Sequence, residues 1–140
     1  MGLFGNKFKE KNKEKMINKY ESDAEFKKNV DNDITIIKRE LPKIIKNLKI
    51  DKFTSIHTDS KVYMDGDKYY IQILKMDCYK YAALNNLSAR KDIEEIEKYF
   101  FDTIDKIDAK IKENKNIKVL KKIDFYDAND WDDFVFVCIF

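Results

Sequence analysis

The chain has 140 residues, 44% of them apolar and 14% aromatic, enough material for one domain with a real core and too much for a disordered chain. Its 28 basic and 26 acidic residues leave a net charge of +2, too balanced for a dedicated nucleic-acid binder, and Arg39 and Arg90 are its only arginines. The abundance of Lys, Ile and Asn points to an AT-rich genome, with most lysines on the solvated surface.

Residues 1–20 form a basic N-terminal arm, distinct from a single α+β domain over residues 21–140. Six lysines against two glutamates give the arm a local +4. Leu3, Phe4 and Phe8 suit a membrane surface or a groove on another protein. Charges run through this stretch without the apolar run of a secretory signal, and no segment approaches the ~20 apolar residues of a membrane span. A cytoplasmic location is expected.

Ser22 to Glu25 reads as a capping box opening a helix. Its seam, Phe26, Val30, Ile34, Ile37, Leu41, Ile44 and Leu48, follows helical spacing. Pro42 should kink or end that helix near Glu40, because proline removes a backbone donor and crowds the preceding turn.

A strand-rich middle follows. Residues 53–58 form a candidate strand, and residues 62–76 read as a hairpin turning at Asp65-Gly66. Tyr70, Gln72, Leu74 and Met76 are expected on one face of its second strand, with Tyr69, Ile71, Ile73 and Lys75 on the other. Apolar groups on both faces make that strand central. Residues 78–84 extend it or form another strand. Ser88 caps a second long helix, whose seam is Ile93, Ile96, Phe100, Ile104, Ile107 and Ile111. Alternation from Ile117 to Phe125 marks a half-buried strand, and the continuous apolar run Phe134–Phe140 marks a strand covered on both faces.

The expected fold class is therefore α+β: an antiparallel or mixed sheet of about five strands with two long amphipathic helices on one face, plus the basic arm. This order of elements resembles that of type III secretion chaperones, whose final helix has no counterpart here.

No residue set points to chemistry. His57 is the only histidine, and no motif links it to a nucleophile; with the single pair Cys78 and Cys138 it matches no triad or zinc spacing. The cysteines read as reduced, buried thiols. Gly2, Gly5 and Gly66 are the only glycines, so no phosphate loop can be assembled. Residues 124–133 carry five carboxylates around Trp131, but Trp131 occupies a position where a calcium loop needs an oxygen ligand, and no glycine follows.

The expectation is a non-enzymatic protein-interaction module (adaptor, chaperone-like or regulatory) with no cofactor and no metal, its partner a protein or a second copy in a homodimer. Its candidate surface is Leu3, Phe4, Phe8, Tyr63, Tyr79, Tyr81 and Trp131. A Lys/Tyr sheet face binding nucleic acid, and peripheral membrane contact through residues 1–20, are the alternatives.

Overall fold

The structure, a computed structural model, describes residue 20 and residues 22–57, 62–65, 68–127 and 133–140. The expected arm, Tyr20 excepted, lies outside the described residues, as does Trp131.

The first helix, α1, spans Ala24–Leu48. Its cap is Asp23, one residue later than the Ser22 expected: the Asp23 carboxylate accepts the Phe26 N–H at 3.0 Å. A carboxylate both satisfies an orphan donor and sits favourably at the positive end of the helix. Contrary to expectation, α1 continues through Pro42. Pro42 is exposed, while Leu41, Ile44 and Ile45 beside it are buried. The lost backbone bond therefore falls on the solvent side, where water can replace it, and packing of the apolar seam carries the helix across. Lys49 ends the helix in the left-handed conformation, φ 59°, its N–H donating to the Ile45 and Lys46 carbonyls.

The strands are β1 (Thr54–Ile56), β2 (Val62–Asp65), β3 (Lys68–Asp77), β4 (Lys122–Asp127) and β5 (Asp133–Ile139). All pairings are antiparallel, in the order β1-β3-β5-β4, with β2 on β3. β1 pairs with residues 74–76 of β3 and β2 with residues 68–71. They follow one another along a single edge, so the sheet is four strands wide. As the apolar pattern implied, β3 and β5 are interior.

The face assignment within β3 needs correction. The pairing with β5 slips between Gln72 and Leu74, leaving Ile73 as an extra residue. This β-bulge moves the inward set from Tyr69 and Ile71 to Leu74 and Met76, all of which join one core. Strict alternation cannot anticipate that flip.

Residues 78–84, expected to be strand, form the short helix α2 (Cys78–Leu84). The Asp77 carboxylate accepts the Lys80 N–H at 2.9 Å and turns the chain out of the sheet. The third helix, α3, spans Ile93–Lys112. Ser88 does not cap it directly; its Oγ accepts the Lys91 N–H and its own N–H donates to Asp92, building a turn ahead of the helix.

The long helices α1 and α3 bury their seams with Phe134, Phe136 and Cys138 of β5 in one core. Two aspartates tie helices to the strand beyond. Asp33 of α1, fully buried, accepts the N–H groups of Lys118, Val119 and Leu120 at 2.8, 2.8 and 2.9 Å. Asp108 of α3 accepts the Ile123 N–H at 2.9 Å. Residues 117–121, expected to begin a strand, are thereby held as a loop and β4 starts at Lys122.

Candidate interaction surface at the sheet edge

The expected surface residues do not converge. Tyr79 on α2 is exposed. Tyr81, two residues on, is buried: it stacks on Tyr99 at a ring separation of 4.4 Å and meets Phe53 edge-on at 5.0 Å. Burial first, then the Tyr99 and Glu95 charges, raises its hydroxyl above the ordinary phenol range. Helical geometry explains the split, since residues two apart on a helix point in different directions. Tyr63 pairs with Tyr70 in the β2–β3 register. Leu3, Phe4, Phe8 and Trp131 lie outside the described residues.

A different surface is assembled around β1. The His57 N–H donates to the Ile73 carbonyl at 2.9 Å, and the Asp77 N–H donates to the Phe53 carbonyl at 2.8 Å. In an antiparallel ladder, alternate residues turn both main-chain groups toward the partner. Phe53 and His57 face β3, so the N–H and C=O groups of Thr54 and Ile56 point away from it, toward the sheet edge.

The two faces of this edge differ in character. On the helix side a cleft of about 340 Å³ is lined by Pro42, Ile45, Lys46, Asp51, Thr54 and Ile56. Ile56 is 36% exposed there. A narrower cleft continues it along Ile34, Ile37, Leu41, His57 and Ile73. On the opposite side a cleft of about 210 Å³ is lined by Lys52, Phe53, Thr54, Ser55, Lys75, Asp77 and Lys80. Among the described residues that line it, three ammonium groups stand against one carboxylate.

Sequence reasoning missed this edge because its parts are dispersed. Ile56 reads as an ordinary strand residue, and Lys52, Lys75 and Lys80 come from a loop, a strand and a helix. The available signal was the shortness of the apolar pattern at residues 53–58, which leaves Ile56 without a second apolar strand neighbour.

His57 lies half-buried just past the end of β1. Cys78 and Cys138 are buried thiols. Burial, reinforced by the Asp108 and Asp33 charges, pushes the Cys138 thiol well above its ordinary range. Among the described residues no three His, Cys, Asp or Glu side chains gather in a metal-binding group. No helix among them is long and apolar enough to cross a membrane.

No protein-family model matches the chain, and neither a curated protein nor a solved structure does.

Proposed function

We propose that the protein is a non-enzymatic interaction module that receives an extended peptide segment of a partner along the β1 edge. The reading rests on one observation: outward-facing main chain at Thr54 and Ile56 is flanked by an apolar cleft on one face and three lysines on the other. A strand added to this edge would gain main-chain hydrogen bonds, and its alternate side chains would fall on opposite faces. The matching ligand alternates apolar residues, toward Ile45 and Ile56, with acidic residues, toward Lys52, Lys75 and Lys80.

The test is fluorescence anisotropy with a labelled Glu-Val repeat peptide and a Lys-Val control of equal length. The acidic peptide binds and the basic one does not. Ile56→Pro removes an outward N–H without touching the β1–β3 ladder, so it abolishes binding while circular dichroism is unchanged. Equal binding of both peptides, or binding indifferent to Ile56→Pro, refutes the reading.

A second reading has its own observation. The exposed Tyr79 adjoins Lys80 of the lysine-lined cleft, a pairing of aromatic and charge that suits single-stranded nucleic acid. That binding would fall steeply with salt and survive Ile56→Pro.

A further inference from the structure

A strand added to β1 would have a fixed phase, and that phase sets how many of its side chains can meet the lysines. Residues directly opposite on neighbouring strands share a face of the sheet. Thr54 and Ile56 pair with Met76 and Leu74, which belong to the core under the helices, so their row lies on the helix side. Ser55 pairs with Lys75, and that row lies on the lysine side. A peptide residue across from Thr54 or Ile56 therefore turns its side chain toward Pro42 and Ile45. β1 is only three residues long. Within that span, one peptide residue alone, the one across from Ser55, faces Lys52, Lys75 and Lys80.

The charges of the two clefts differ in the same sense. On the helix side Lys46 and Asp51 balance one another. On the other side Lys52, Lys75 and Lys80 stand against Asp77, a surplus of two positive charges among the described residues that line that cleft. The Asp77 carboxylate is already engaged, accepting the Lys80 N–H at 2.9 Å. A single peptide side chain thus meets a doubly cationic set. A carboxylate brings one negative charge and two oxygens. A phosphate monoester brings about 1.5 to 2 negative charges at pH 7 and three strong acceptor oxygens, which suits three ammonium donors.

The opposite edge of the sheet, β4, is unsuited to such a strand. Its Ile123 N–H donates to Asp108 at 2.9 Å and its Phe125 N–H to Asp124 at 2.7 Å. These donors do not serve the ladder with β5, and both are taken. An incoming strand would have to displace the two carboxylates, and an anionic one would also be repelled by them. The difference between the edges directs an anionic strand to β1.

We infer that the strand received by the β1 edge is a phosphorylated one: an apolar residue, a phosphoserine or phosphothreonine, and a second apolar residue, with the phosphate across from Ser55 among Lys52, Lys75 and Lys80. The inference rests on the edge reading proposed above and adds to it the chemical class of the central residue. Phosphorylation of the partner then switches its affinity for this protein.

Three labelled peptides of equal length, centred on Val-phosphoserine-Val, Val-Glu-Val and Val-Ser-Val, test this by fluorescence anisotropy against the full chain. The phosphopeptide should bind about tenfold tighter than the Glu peptide, the gain of one further charge-assisted bond, and the Ser peptide should bind weakest. Lys52 and Lys80 are exposed, so a Lys52→Ala/Lys80→Ala chain keeps the core intact and should bind the phosphopeptide and the Glu peptide alike. Equal binding of those two peptides by the parent chain, or a phosphate preference that survives in the double variant, overturns the inference; if Ile56→Pro still abolishes binding, the edge reading stands without it. Failure of all three peptides to bind, or binding indifferent to Ile56→Pro, overturns the edge reading and the inference together.

Discussion

Asp33 allows the sharpest test of the fold. Its carboxylate is fully buried and accepts three successive backbone N–H groups, those of Lys118, Val119 and Leu120. Asn32 also donates to it at 3.1 Å. These bonds join the middle of α1 to a loop more than 80 residues away. Asp33→Ala leaves three donors facing an apolar gap. An unsatisfied buried donor costs about 1–3 kcal/mol. Only the Leu120 bond is fully buried, and removing the carboxylate also removes its own desolvation cost. The lower figure of about 1 kcal/mol per donor therefore applies, giving about 3 kcal/mol in total. At about 2.1 cal/mol/K per residue, a 140-residue chain has an unfolding entropy near 0.3 kcal/mol/K, so the Tm should fall by about 10 °C. Asp33→Asn keeps one acceptor oxygen and should lose about 2 kcal/mol. Urea unfolding measures both variants, and hydrogen exchange at the Val119 and Leu120 amides reports the clamp directly. An Asp33→Ala protein within about 0.5 kcal/mol of the parent, with those amides still protected, would refute the reasoning.

Other expectations follow from single residues. Lys49 occupies the left-handed region at φ 59°, so Lys49→Gly should stabilise the protein by about 1 kcal/mol, read as a higher urea midpoint. Pro42→Ala restores a helix donor at an exposed site and should add about 1–2 kcal/mol, less than proline's full cost because the present helix already accommodates it. Burial raises the Cys138 thiol and the Tyr69, Tyr81 and Tyr99 hydroxyls. All four favour the neutral form in the fold, so their contribution is complete below the unfolded-state values of 9.0 and 10.0 and is lost as pH rises above them. The Tm should then decline above about pH 9, while a thiol reagent at pH 8 modifies neither cysteine until the chain unfolds; rapid labelling of the native protein would contradict this.

Periodicity carried the long-range plan. Val30, Ile37, Leu41 and Ile44 of one seam, and Ile96, Phe100, Ile104, Ile107 and Ile111 of the other, are buried as their spacing required. The seven-residue apolar run at the C-terminus is an interior strand. Where local signals failed, a tertiary contact had outweighed them. The Ile73 bulge reverses the expected faces of β3 because register with β5 is settled between strands. The exception is residues 78–84, which have the composition of a strand: there the overlooked signal was itself local, the Asp77 carboxylate that caps and opens a helix. The β1 edge was not legible, since its lysines meet only after α2 folds back beside β1 and β3.

What the sequence determined by itself is the set of buried faces: apolar residues at helical or alternating spacing have only one way to leave water together. The tertiary structure decided which polar groups accompany them. Asp33 stands in the sequence as one more charge on a charged helix, and only the arrival of three backbone donors from residues 118–120 makes its burial favourable. The edge at Thr54 and Ile56 arose the same way, because an unpaired main chain is defined by the partners that the rest of the sheet leaves out.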